Sequence, residues 1–327
     1  MARDHVRPIR SVRQPDEREV LRAKELVARH LAQTPLISSP LLGAQVLLKL
    51  ETLQPTGSFK VRGALVAVAN ALEDNPNTSV VTGSAGNHGL GVAYAAQTLG
   101  VRATIVVPEN ASVAKQDALG RFDVELIRHG KSYDEAEAHA LLLSETGARF
   151  ISAYNDPDVI AGQGTIALEL FDQVPELAAI VAPVGGGGLL AGLSLAASTH
   201  ADVCVFGVEA AASPVMSVST AAGRVEVVEV GPTIADGLSG NIEPGSVTVP
   251  LIARHARQVV SADERVIRDG VRFLASEHGL IAEPSGAIGI GAMLHGLVET
   301  AGGPTVIVVT GRNVATQLLV DLLTGEP

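Results

Sequence analysis

Lys60 stands between Phe59 and Val61 in the run Thr56-Gly57-Ser58-Phe59-Lys60-Val61-Arg62-Gly63, just past a glycine turn. Burying an ammonium costs free energy, so a lysine with an aromatic and an apolar neighbour sheds its proton readily and becomes a nucleophile toward a carbonyl. That is the chemistry of an amine held as a Schiff base. A solvated lysine at the start of an amphipathic helix would look the same from this segment alone. Two glycine-rich loops narrow the choice. Pro183-Val184-Gly185-Gly186-Gly187-Gly188-Leu189 joins a strand-like run to a helical one, so unencumbered N–H groups and a positive helix end converge on an anion, most naturally a phosphate. No lysine follows the glycines, which excludes a nucleotide P-loop. Gly186-x-Gly188-x-x-Ala191 does fit the dinucleotide fingerprint, with Glu209 ending the next strand near the place of a ribose-binding acid. A nicotinamide-dependent enzyme or nucleotide-binding module therefore stays open as the alternative of a different class. Ser84-Ala85-Gly86-Asn87-His88-Gly89 also follows a strand and opens a helix, offering N–H groups, a hydroxyl and an amide for which a carboxylate is the natural guest. Asn87 by itself equally suits an ordinary N-cap, and His88 is assigned a backbone role only.

These loops need elements to hold them. From Ser79 onward, runs rich in valine and isoleucine alternate with alanine-rich segments of helical period: Ser79 to Thr82, Gly89 to Leu99, Ala103 to Val107, then Ala179 to Ala182, Leu189 to Ala197, Val203 to Val208, and last Thr305 to Thr310 and Asn313 to Leu323. Nearly continuous apolar strands predict a mainly parallel twisted sheet covered by helices on both faces. The turn cluster Tyr154-Asn155-Asp156-Pro157-Asp158 and the weaker break Asp74-Asn75-Pro76-Asn77 divide the chain. The expected fold is α/β in two lobes: residues 1–77 and 157–327 form a large domain, and 78–156 a small one that carries the Ser84 to Gly89 loop.

Composition bounds the partners. With 327 residues, 46% hydrophobic, the chain is long enough for two cores, and its net charge of -11 argues against nucleic acid or an anionic membrane surface. A small molecule is the expected ligand. The single cysteine, Cys204, excludes an internal disulfide, reads as a small core residue and suits a reducing cytoplasm. The charged stretch from Met1 to Arg29 lacks a signal-peptide core, and no later segment is apolar for long enough to span a membrane.

Taken in order, Ser58-Phe59-Lys60, Ser84 to Gly89, Ala161-Gly162-Gln163-Gly164-Thr165, Gly185 to Gly188, Ala235-Asp236-Gly237 and Glu283-Pro284-Ser285-Gly286 resemble the serine/threonine dehydratase and serine racemase family of pyridoxal-phosphate enzymes, of fold type II. The resemblance runs over nearly the whole chain. It implies that Lys60 carries pyridoxal 5'-phosphate, that Gly185, Gly186, Gly187, Gly188 and Leu189 hold its phosphate, that Asn87 bonds its phenolic oxygen and that Phe59 packs beside its ring. It further implies cofactor contacts for Gly237 and Glu283, a Thr310 hydroxyl on the pyridine nitrogen, and a substrate carboxylate met by Ser84, Ala85, Asn87 and His88. A neutral hydroxyl on that nitrogen leaves the ring a weaker electron sink than a carboxylate would, which favours prompt elimination over transamination. A homodimer is the assembly the resemblance favours, and nothing like the regulatory domain of biosynthetic threonine dehydratases follows Leu323.

Departures from the family pattern bear on the reaction. Where the racemases of the family carry a second serine as acid and base, this chain has Ala85, which holds no exchangeable proton. The expected activity is thus a threonine/serine ammonia-lyase, in which Lys60 takes the α-proton and the β-hydroxyl leaves, giving a 2-keto acid and ammonia. A 3-hydroxyaspartate or hydroxyectoine-pathway dehydratase and a serine racemase are the alternatives. Where some members place a glutamate and an aspartate around a divalent cation, Glu209 remains but Val215 replaces the aspartate, leaving Glu209 and the Ser213 carbonyl as a weak candidate beside the alternative of a solvated strand-end acid. Arg312 stands where many members have glycine. It either brings a cation toward the site or points into solvent.

Overall fold

A computed structural model describes residues 10–300 and 302–325. The first nine residues of the charged N-terminal stretch, and both ends of the expected large domain, lie outside the described residues. In chain order the elements are α1 (Glu17–His30), β1 (Leu36–Ser38), β2 (Val46–Leu50), α2 (Lys60–Asp74), β3 (Ser79–Gly83), α3 (Asn87–Leu99), β4 (Arg102–Val107), α4 (Val113–Leu119), β5 (Glu125–Arg128), α5 (Tyr133–Ser144), β6 (Arg149–Phe150), α6 (Pro157–Gln173), β7 (Ala179–Pro183), α7 (Gly188–Ala197), β8 (Cys204–Ala210), α8 (Val215–Ala222), α9 (Thr248–His255), β9 (Gln258–Ala262), α10 (Glu264–His278), α11 (Pro284–Leu294), β10 (Thr305–Val309) and α12 (Thr316–Thr324). Short 3-10 turns at Glu51–Leu53 and Asp236–Leu238 complete the described chain.

The strands make two sheets. One has the order β1-β2-β10-β7-β8-β9, parallel except for β1 against β2; the other, β5-β4-β3-β6, is parallel throughout. β7 and β10 are buried at every residue, as expected of central strands with helices on both faces. Each Val or Ile so buried contributes about 1.5–3 kcal/mol. The first apolar cluster joins α1, α2, α3, α6 and α7, and the second lies on the opposite face of the larger sheet with α10 and α11. Among the described residues no helix is long and apolar enough to cross a membrane.

Local chemistry sets where the helices start. Asp16 caps α1 in a reciprocal capping box with Glu19. The Tyr154 to Asp158 cluster starts a helix as well as making a turn: Asp156 accepts from Asp158 and Val159 N–H and Pro157 occupies the first turn of α6. The α2–α6 crossing is close because both partners lack side chains there; a Cβ on Gly162 would sit 2.5 Å from Gly63 Cα.

Cys204 begins β8 and packs, partly buried, against the second apolar cluster. One expectation and one alternative are corrected. The last helix starts at Thr316, leaving Asn313 free to turn elsewhere. Asn87 is not the N-cap of α3; Gly86 is, without a side-chain cap, and Asn87 is the first helical residue.

Candidate active site

Parallel strands bring their following loops to one edge. Gly185 to Gly188 follow β7, Thr310 follows β10, and Ser84 to Gly89 follow β3. Lys60 reaches the same region because Phe59 N–H donates to Thr310 O (3.0 Å) and Ser58 bridges Gly311, pinning the start of α2 beside the end of β10.

Lys60 is half-buried, with Val61 behind it fully enclosed and its Nζ 5.3 Å from the centroid of the Phe59 ring. Nζ donates to Ala153 O at 2.9 Å. Burial lowers its pKa to about 8, against the opposing pull of the Glu283 charge. At that value about a tenth is free amine at pH 7, the state a nucleophile or proton acceptor needs. Ala153 precedes Tyr154, whose backbone and ring line the glycine loop. A Cβ on Gly186 would run into the Tyr154 ring, and one on Gly188 would lie 2.9 Å from Tyr154 Cα. The lysine and the glycines therefore meet across two consecutive residues.

The glycine loop is an uncapped helix start. Gly187 is the N-cap of α7 with φ 93°, a left-handed conformation that glycine adopts at no steric cost, and no side chain caps the N–H groups of the first turn. A Cβ on Gly187 would press on Met216, Ile252 and Thr248, and Thr248 Oγ1 donates to Gly186 O at 2.8 Å. Gly185 abuts Leu238, and Gly237 N–H donates to Ser285 Oγ at 3.1 Å, which ties the Ala235-Asp236-Gly237 turn to α11. Leu189 is buried in the first turn of α7.

On the facing side, Ser84 Oγ accepts from Gly86 N–H (3.3 Å), while nothing stands within 4 Å of the place a Gly86 Cβ would take, so this loop borders open space. Asn87 Nδ2 donates to Glu283 Oε1 (2.6 Å) and Asn87 Oδ1 accepts from Asn313 Nδ2 (2.6 Å). One N–H of the Asn87 amide is left for a further acceptor. Burial, opposed by the Asn87 hydrogen bond and reinforced by Asp236, raises Glu283 to about 7. His88 does more than lend its backbone: its ring is buried, its Nε2 meets Ile151 O at 3.1 Å, and burial together with the Lys60 charge lowers it to about 3. Facing a carbonyl, Nε2 carries the hydrogen and the imidazole is neutral. Ala85 is half-buried in the loop.

Two candidates fall elsewhere. Glu209 is neither a solvated acid nor open to a ribose or cation: it is 1% exposed, and its carboxylate accepts from Met216 N–H (3.0 Å), Ser217 N–H (3.2 Å) and Ser261 Oγ (2.9 Å), capping α8. Ser213 Oγ donates to Gly240 O (3.3 Å). Among the described residues no group of three or more His, Cys, Asp or Glu gathers as a metal site. Arg312 takes the second of its two courses: it is exposed, and its Nη1 donates to Thr52 O in the turn after β2. Ala153, Tyr154 and Thr248 line the site yet lie outside the motifs; the one local hint was the turn cluster that begins at Tyr154.

The donor set fits pyridoxal phosphate. It offers a desolvated amine, an uncapped positive helix end, and Ser58 Oγ, a buried hydroxyl without a protein partner two residues before Lys60. Comparison with known proteins agrees. A family model described as pyridoxal-phosphate dependent enzyme matches residues 27–311. The L-threonine ammonia-lyase of Thermotoga maritima is 40% identical over 298 residues, 90% of this chain and 74% of that protein. The L-threo-3-hydroxyaspartate ammonia-lyase of Saccharomyces cerevisiae is 33% identical over 318 residues, 95% of this chain and 97% of its own. Among solved structures, maize serine racemase superposes with a TM-score of 0.88 at 30% identity, covering 96% of this chain and 98% of its own.

Proposed function

The chain belongs to the pyridoxal-phosphate-dependent enzymes of fold type II, and on that premise we propose that it is an ammonia-lyase converting L-threonine or L-serine to a 2-keto acid and ammonia by α,β-elimination. The observation that carries this reading is the pairing of a single proton-accepting amine, Lys60, with a facing loop whose corresponding position, Ala85, has no exchangeable proton. A racemase needs a group on each face of Cα. An elimination needs one. The likeness to the L-threonine ammonia-lyase at 40% identity supports the same choice.

When bound, the cofactor supplies an electron sink for the charge that develops at Cα as its proton leaves. Lys60 would hold the cofactor through its amine, and as a free amine it would take the α-proton. Gly185 to Gly188 with Leu189 present the N–H groups and positive helix end that would receive the phosphate. Phe59 would pack beside the ring, Asn87 would give its spare N–H to the phenolic oxygen, Thr310 would offer a neutral hydroxyl to the pyridine nitrogen, and Gly237 and Glu283 would make further cofactor contacts. Ser84, Ala85, Asn87 and His88 receive the substrate carboxylate, the His88 ring bracing the loop on Ile151. Lys115, close enough to act on Glu283, is already matched with Asp236 (3.2 Å). It is not left over for the second carboxylate of a 3-hydroxyaspartate, which favours an uncharged β-substituent.

Residues 78–156, which hold the whole of the four-stranded sheet, form the small domain, and 1–77 with 157–327 the large one; the protein acts in the cytoplasm as a homodimer. The test incubates the purified protein and pyridoxal phosphate with L-threonine, L-serine and threo-3-hydroxyaspartate while keto acid and substrate enantiomers are followed together. Keto acid from threonine and serine without the opposite enantiomer is the expected result. D-serine from L-serine as the main product would replace the lyase by a racemase.

A further inference from the structure

The back wall of the glycine loop is built by residues from three distant parts of the chain. Tyr154 packs its ring on Gly186, and its hydroxyl accepts from Glu243 N–H at 2.9 Å. The Glu243 carboxylate, buried, accepts from Asn155 Nδ2 and from both Nε (3.1 Å) and Nη2 (2.5 Å) of Arg10. Arg10 also donates to Asn155 O (3.0 Å) and lies over the Phe150 ring, 5.0 Å from its centroid. Asn155, fully enclosed, completes the ring of contacts by accepting from Val247 N–H (3.0 Å), next to the Thr248 whose hydroxyl holds Gly186 O. One residue of the N-terminal arm is thus the cation of a polar cluster that fixes Tyr154 from behind and Thr248 from the side.

Neither Arg10 nor Glu243 meets the glycines themselves. A fork-shaped guanidinium bound to a buried carboxylate sets position as well as charge balance, and the carboxylate it fixes belongs to the segment that meets the Tyr154 hydroxyl. We propose that Arg10 is a positioning residue for the glycine loop: acting through Glu243 and Tyr154, the N-terminal arm determines how firmly the pocket retains a phosphate-bearing ligand. This inference rests on the reading of the glycine loop as the cofactor's phosphate cup.

The experiment titrates the full-length apo-protein with pyridoxal phosphate by absorbance and measures its release rate, for the unaltered protein and for Arg10→Met, Arg10→Lys, Glu243→Gln and the Arg10→Met/Glu243→Gln pair. The melting temperature of each apo-protein is measured beside it. Arg10→Met and Glu243→Gln each raise the dissociation constant about tenfold, or about 1.4 kcal/mol, through faster release. The double variant is no worse than either single change, because the two act as one unit, and Arg10→Lys falls between Arg10→Met and the unaltered protein. Tyr154→Phe, which removes only the hydroxyl, raises the constant about threefold and keeps the test decisive if the charge variants fail to fold. A lowered apo melting temperature with unchanged cofactor affinity, or losses that add in the double variant, would overturn the proposal. No cofactor uptake by the unaltered protein would remove the phosphate-cup reading first, and this inference with it.

Discussion

Replacing Arg62 by methionine is expected to destabilise the protein by about 3–5 kcal/mol, the cost of breaking a buried ion network by removing one partner. Arg62 is the largest fully buried side chain, two residues past Lys60 in α2. Its guanidinium binds Glu51 (2.8 Å from both Nε and Nη2), Glu169 (2.6 Å from Nη1 and 2.9 Å from Nη2) and Thr165 Oγ1 (3.2 Å). Among the described residues the other cation on these carboxylates is Lys49, which holds Glu169 at 2.6 Å, so methionine leaves two enclosed carboxylates sharing one ammonium. At about 2.1 cal/mol/K per residue, a chain of 327 residues loses stability near its midpoint at roughly 0.7 kcal/mol per degree, and the melting temperature drops by about 4–7 °C. The pH dependence gives an internal check. Burial pushes Glu51 up, but the charge and hydrogen bonds of Arg62 outweigh it and hold the carboxyl below its usual value of 4.5. A carboxyl depressed in the folded state stabilises above its unfolded pKa, and that stability is lost as pH falls through the folded value. The gap between Arg62→Met and the unaltered protein is therefore full at neutral pH and closes in acid. Thermal scans from pH 3 to 8 read both effects. A shift below 1 °C at pH 7, or a gap that widens in acid, would refute the reasoning.

Glu283→Gln removes a charge that opposes the desolvation of Lys60, so the apo-protein amine titrates below about 8; pH-dependent amine modification, read at Lys60 by peptide mass, measures it. Gly186→Ala drives a Cβ into the Tyr154 ring and weakens cofactor binding at least tenfold in an absorbance titration. Ala85→Ser supplies the missing hydroxyl on the second face, and a chiral product assay shows D-serine forming from L-serine while keto-acid production continues.

The apolar strand runs and the order of the loops along the chain were readable because buried parallel strands and strand-to-helix turns leave local marks: valine and isoleucine in sequence, then glycine. The same locality marks Lys60, the Gly185 loop and Asn87, each near a glycine at a helix start. What the sequence concealed depends on distance and exposure. Tyr154 meets Glu243 across 89 positions and Arg10 meets it across 233, separations over which no periodicity speaks. Glu209 looked like an exposed strand-end acid because nothing in Val208-Glu209-Ala210 shows that α8 folds back to use its oxygens. His88 passed for a backbone donor because the carbonyl it braces, Ile151 O, arrives from the loop that follows β6, 63 positions away. Arg312 left two courses open and took the solvent-facing one, with a bond to a carbonyl in the turn that follows β2.

The central claim is that Lys60 is the cofactor-bearing amine. Borohydride reduction of the loaded protein, followed by peptide mapping, tests it directly, since the chain offers only four other lysines, Lys24, Lys49, Lys115 and Lys131. The predicted result is a single reduced cofactor adduct on Lys60, absent from Lys60→Ala, which also makes no keto acid. An adduct on any of the other four, or keto acid from Lys60→Ala, would contradict it.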